Sequence, residues 1–185
     1  MAALAAGAAL SALPPAAAAY RTGPPAAHTG GFGEPTCATC HFQDGAATID
    51  EGAALGIDAP DRYEPGATYD VRITLTDPDA EAAGFQLAVR FADGSAAGSQ
   101  AGSLAGGDST VRILTGEAGV EYASQTEIGT RLREPGHALW IVRWTAPAGA
   151  EGGTVVFHAA GNAANDDDSE FGDRIHVAER RTRSH

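Results

Sequence analysis

Residues 68–77 read TYDVRITLTD, with Tyr69, Val71, Ile73 and Leu75 on one face and Asp70, Arg72, Thr74 and Thr76 on the other. A period of two sends successive side chains to opposite faces of an extended backbone, so this is a strand with one buried and one wet face. GFQLAVRFADG (84–94) repeats the pattern with Phe85, Leu87, Val89 and Phe91 inward, and closes on an Asp-Gly turn pair. TVRIL, GVEYA, HALWIVRWTAP, GTVVFHAAG and DRIHVAE follow. Within ALWIVRW, Trp140, Val142 and Trp144 share a face while Leu139 and Ile141 oppose them, which predicts a strand buried on both sides. No helical stripe of useful length competes. Many short strands at roughly ten-residue spacing imply an all-β fold, an antiparallel, immunoglobulin-like β-sandwich over residues 46–179. A domain of that length buries an adequate core.

The flanks read differently. Residues 1–19 are Ala-rich, uncharged and interrupted by Pro14 and Pro15, with small residues directly before Tyr20. They resemble the apolar part and cleavage site of a secretory signal, without its basic start, and are too broken for a comfortable span. The expected location is therefore periplasmic, extracellular or at the cell surface, with no stable membrane span in the mature chain. Residues 20–45 are rich in Gly, Pro and Thr and lack apolar periodicity, so something other than their own core must organise them. Residues 180–185, RRTRSH, are expected as a basic, frayed tail. The net charge is −12, with arginine as every basic residue. That balance repels phosphates, which argues against nucleic acid and anionic membranes and favours a cationic partner.

The uncoupled segment contains CATCH, residues 37–41, and Cys37 and Cys40 are the only cysteines in the chain. C-x-x-C-H is the attachment pattern of c-type haem. Two thiols one turn apart add to the two vinyl groups of one porphyrin, and the adjacent His41 becomes the proximal iron ligand. Attachment occurs outside the cytoplasm, in keeping with export. Three alternatives use the same residues. A Cys37–Cys40 disulfide suits an oxidising compartment, and a thioredoxin-like pair would need a βαβ context that is missing. Zinc would need His41 and a fourth ligand such as His28.

For the second axial position, Met1 is the sole methionine and leaves with the signal. His28, nine residues before Cys37, is the first candidate, and a solvated loop histidine is the plain alternative. An open sixth position for water or a small gas is a further option. Gly30, Gly31 and Gly33 would let the loop fold back over a flat porphyrin. Phe32, Phe42 and Phe157 are candidates to pack on it. His158 is expected on a sheet face, with a haem wall as the lesser reading, and His137, His176 and His185 as surface groups. Downstream, Asp166, Asp167, Asp168, Glu170 and Asp173 crowd one loop. Calcium is a conceivable occupant, but the spacing is not that of an EF-hand, and an acidic turn capping its own backbone is favoured. No nucleophile elbow, phosphate loop or nucleotide fingerprint is present, so no enzyme activity is expected.

The lead HTGGFGEPTCATCH, the strands YEPGATYDVRITL, GFQLAVRF and WIVRWTAP, and above all VVFHAAGNAANDDDSEFGD together resemble the exported Reeler-like domains called choice-of-anchor V proteins. The resemblance implies a Reeler-type β-sandwich behind a C-x-x-C-H segment. The family's domain is often followed by an anchor, which these residues do not show, so a free form or one held by its N-terminus is implied. The expected function is an exported monohaem c-type cytochrome-like protein that exchanges electrons with a redox partner, for which a basic protein is the expectation, or senses a small ligand. The alternative is a non-haem extracellular adhesion or binding module with a Cys37–Cys40 disulfide.

Overall fold

The computed structural model describes residues 20–43, 49–50, 54–149 and 153–185. The signal read over residues 1–19 and the boundary placed at 45–46 lie outside the described residues. Among the described residues eleven strands run in chain order: β1 (Ile49–Asp50), β2 (Leu55–Asp58), β3 (Arg62–Tyr63), β4 (Thr68–Thr76), β5 (Ala82–Phe91), β6 (Ser103–Gly106), β7 (Val111–Thr115), β8 (Glu121–Gln125), β9 (His137–Thr145), β10 (Thr154–Ala164) and β11 (Arg174–Ser184). They form a larger sheet, ordered β1-β11-β10-β5-β8-β7 with β3 also on β11, and a smaller sheet, β2-β4-β9-β6. The short β1 and β3 join β11 in parallel, and the other pairings are antiparallel. The fold is the all-β sandwich that the period-two segments predict. No helix among the described residues is long and apolar enough to cross a membrane.

The core lies between the sheets. Val71, Ile73 and Leu75 of β4 and Trp140, Val142 and Trp144 of β9 meet Phe85, Leu87 and Val89 of β5 and Val155, Phe157 and Ala159 of β10 in one cluster. Trp140 stacks on Phe85 with ring centroids 4.6 Å apart, and Trp144 meets Phe157 edge-on at 5.0 Å. A buried indole N–H needs an acceptor, and both have one: Trp140 donates to the Gly129 carbonyl at 2.7 Å and Trp144 to that of Ala101 at 2.9 Å. Gly161 lets β10 approach this core, because a Cβ there would lie 2.8 Å from Leu75 Cδ1.

Three expectations need correction. β9 is buried on one face only: Ala138, Trp140, Val142 and Trp144 are buried, whereas Leu139 and Ile141 are partly exposed and Arg143 is exposed. β5, by contrast, is covered on both sides, since Gln86, Ala88 and Arg90 on its outer face are buried as well. Its cover is the N-terminal segment. Residues 180–184 are not a frayed tail. They continue β11, paired with β10 from Arg180↔Phe157 to Arg183↔Thr154, and Thr182 is fully buried.

The two sheets are also tied at one end. Asp77, directly after β4, accepts from Arg174 Nε of β11 at 2.5 Å, and His176 Nε2 lies 3.5 Å from the same oxygen. Burial alone would raise the Asp77 carboxyl, but Arg174, the Asp79 N–H and His176 outweigh it and hold it below the ordinary range. A carboxyl depressed on folding stabilises the fold above its unfolded pKa, about 3.9, and that contribution is lost as pH falls through the lower folded value. Asp77→Asn is thus expected to flatten the loss of stability below about pH 4 in urea titrations, and to lower stability at neutral pH. Trp144→Ala is expected to cost about 3–5 kcal/mol, read as a lower urea midpoint at a nearly unchanged slope.

Candidate functional site

Residues 20–36 cross the outer face of the larger sheet as a strap. Gln86 is fully buried on β5 and uses both ends of its amide: Nε2 donates to the Pro25 carbonyl at 2.8 Å, and Oε1 accepts from the His28 N–H at 2.6 Å. Arg112 of β7 donates to the Gly23 carbonyl at 3.1 Å. Ala26 and Ala27 pack on Ala88, Val120 and Tyr122. Farther along, Glu34 enters a buried ion pair with Arg90 of β5 and accepts from Tyr122 Oη at 2.5 Å, while Thr29 Oγ1 donates to its other oxygen at 2.6 Å. Gly31 lies flat on His158, where a Cβ would come within 2.4 Å of the ring. Gly31 thus serves contact with β10. The sandwich supplies the core that residues 20–36 lack.

The strap delivers the chain to a 3-10 turn at Cys37–Thr39. Thr36 caps it by accepting from the Ala38 N–H at 3.2 Å, and the N–H groups of Cys40 and His41 both return to the Cys37 carbonyl, at 3.1 and 3.0 Å. This turn brings both thiols and the imidazole to the wall of one cleft. Both cysteines are free thiols and partly exposed. Desolvation pushes Cys37 up to about 12, with smaller contributions from Cys40 and Asp173. A thiol so held is protonated at neutral pH, which argues against a thioredoxin-like nucleophile.

His41 Nδ1 lies 2.5 Å from Oδ2 of Asp173, whose residue is only 1% exposed. Asn162 Nδ2 on β10 donates to the same oxygen at 3.0 Å, and the Asn165 N–H reaches Oδ1 at 3.3 Å. His28 also lines the cleft, with Nδ1 3.1 Å from the Ala26 carbonyl and 3.2 Å from that of Pro25.

The cleft is open to solvent on one side, and its cavity volume is about 110 Å³. Its floor is made of small residues, Ala82, Ala83 and Gly84 of β5 and Ala164 of β10, with Phe85 beside them. One wall is the strap with Tyr20, Arg21, Pro24 and Pro25, and the opposite wall is the acidic loop after β10. Arg21 bridges Asp166 at 2.9 Å and Asp168 at 2.5 Å. Asp167 and Asn165 cap the loop's own backbone, with the Ser169 N–H on Asp167 Oδ1 at 2.9 Å. The guanidinium therefore neutralises carboxylates that calcium would need. Among the described residues no group of three or more His, Cys, Asp and Glu side chains is arranged to hold a metal ion.

Cys37, Cys40, His41 and His28 converge on the cleft. The proposed aromatic walls do not. Phe32 is 46% exposed and packs on His158 at 5.4 Å and beneath Arg90. Phe42 pairs with Phe171 at 5.9 Å, and Phe157 is in the core. His158 bonds Glu179 at 3.1 Å under the strap, and burial lowers its pKa. His176 is buried, not a surface group. Asp173 and Asn162 were the residues that sequence reasoning missed as partners of His41, although both fall in the block GNAANDDDSEFGD that it singled out.

No family model matches the chain, and no curated protein sequence matches it. Among solved structures it is similar to the human F-spondin reeler domain, at 18% identity and a TM-score of 0.49, over 75% of this chain and 94% of that one. It is similar to a cohesin module from a Clostridium perfringens family 33 glycoside hydrolase, at 10% identity and a TM-score of 0.46, over 71% and 95%. A third likeness is to the sulfur carrier protein SoxY from Chlorobium limicola, at 16% identity and a TM-score of 0.36, over 76% and 87%.

Removing Glu34 would strand the buried Arg90. Glu34→Ala is expected to destabilise by about 3–5 kcal/mol, and limited proteolysis is expected to cut within residues 20–36 before the sandwich opens.

Proposed function

We propose that the cleft is a site for one covalently attached haem in an exported, non-enzymatic protein. The observation that carries this is the convergence of both thiols, His41 and His28 on one cleft with a small-residue floor. Cys37 and Cys40 would hold the group as thioethers, each S–H adding across a vinyl double bond with the hydrogen passing to carbon, so no oxidant is consumed. His41 would supply the proximal nitrogen, and His28 is the candidate for the opposite side. The bound group would supply one-electron exchange at iron, its potential set by ligands and burial. The strap and the acidic loop would exclude water from the two walls, and the net charge of −12 would favour a basic redox partner.

A second reading is supported by a specific observation. Residues 20–36 are already held by Gln86, Glu34, Arg90 and Tyr122, so the strap needs no haem. The acidic loop also suits a neutral or cationic occupant better than porphyrin carboxylates. The chain would then be an extracellular, Reeler-like binding module in which Cys37 and Cys40 form a disulfide. Pyridine haemochrome spectra decide between the two on protein exported from a host with c-type maturation machinery. A c-type spectrum that survives acid–acetone extraction, and is lost in Cys37→Ala/Cys40→Ala, is expected. Colourless wild-type protein from that host would overturn the haem reading and leave the second.

A further inference from the structure

We infer that Asp173, held by Asn162, is a positioning residue that fixes His41 in the Nδ1–H tautomer and presents Nε2 as its donor nitrogen. The role in haem ligation rests on the reading above, while the tautomer does not. A carboxylate oxygen only accepts hydrogen bonds, so an Nδ1 at 2.5 Å from Asp173 Oδ2 must carry the proton. Asn162 Nδ2 lies 3.1 Å from the same Nδ1, but two donors cannot share that line, so its bond is to Asp173 Oδ2 at 3.0 Å. With the Asn165 N–H on Oδ1, both carboxylate oxygens are fixed by elements of the sandwich. The rotation of the imidazole is therefore set by β10 and the loop before β11, and not by the turn that carries it.

Ligating histidines donate their second N–H to a carboxylate or carbonyl, and a carboxylate raises the basicity of the ligating nitrogen. Asp173 thus strengthens donation from His41 Nε2, which favours the oxidised over the reduced metal and lowers the potential of the one-electron couple. The same bond gives Asp173 and Asn162 a purpose that the Cys37–Cys40 disulfide reading lacks.

The test has two arms. In haem-free protein at alkaline pH, nitrogen-15 NMR is expected to find His41 with a protonated Nδ1 and a bare Nε2. Asp173→Asn is expected to mix the tautomers, and Asn162→Ala to broaden the ring signals. A wild-type His41 protonated at Nε2, or a tautomer unmoved in Asp173→Asn, overturns the positioning role even if one variant folds poorly. In haem-loaded protein, Asp173→Asn is expected to shift the ratio of oxidised to reduced iron about tenfold toward the reduced form, about 59 mV upward for one electron. An unchanged potential overturns the tuning role. Failure of the wild type to take up haem overturns the haem reading alone, and the first arm still decides the tautomer.

Discussion

Gln86 and Arg90 sit on the outer face of β5, and neither can be buried unpaired. An uncompensated amide costs on the order of 1–3 kcal/mol and an uncompensated guanidinium more. Residues 20–36 meet most of that requirement: the Pro25 carbonyl and the His28 N–H satisfy Gln86, and Glu34 pairs with Arg90 Nη2 together with Tyr122, leaving Arg90 Nε without a partner. Because these bonds fix the strap in register, the turn at Cys37–Thr39 is delivered to one place over the sheet. The position of both thiols and of His41 follows from the polar face of a single strand.

The cleft itself arises from what is missing in side-chain volume. Where β5 begins and β10 ends, Ala82, Gly84 and Ala164 leave the sheet surface low, and the strap and the acidic loop rise on either side. Polar groups enter at the margins with their outward partners already chosen: His41 on Asp173, His28 on backbone carbonyls, Arg21 on Asp166 and Asp168. The result is an apolar floor lined by two thiols and two imidazoles.

Much of the sandwich was legible because period two survives wherever one face of a strand is wet. β4 alternates as Tyr69, Val71, Ile73 and Leu75 require. The pattern misled where a neighbour distant in sequence covers a polar face. Gln86 and Arg90 fall on the face that alternation leaves polar, and the strap buries them. The same non-local effect hid only the C-terminal end of β11: RRTRSH carries no apolar signal, yet pairing with β10 carries the strand on to Arg183. For the site, local spacing singled out Cys37, Cys40, His41 and His28, and all four line the cleft. Asp173 was not, since its bond to His41 spans a sequence separation of 132 residues and its neighbours Asp166, Asp167 and Asp168 disguised it as one more member of an acidic run. Phe32 and Phe42 were chosen for closeness to the motif in sequence, and both turn to aromatic partners elsewhere.

The central claim is that this cleft holds a haem bound through Cys37 and Cys40. The intact mass of the chain, exported from a host able to mature c-type cytochromes and denatured before analysis, tests it most directly. The account predicts a covalent gain of one haem per chain. A mass lower by two hydrogens, the signature of a Cys37–Cys40 disulfide, would contradict it, as would the mass of the unmodified chain.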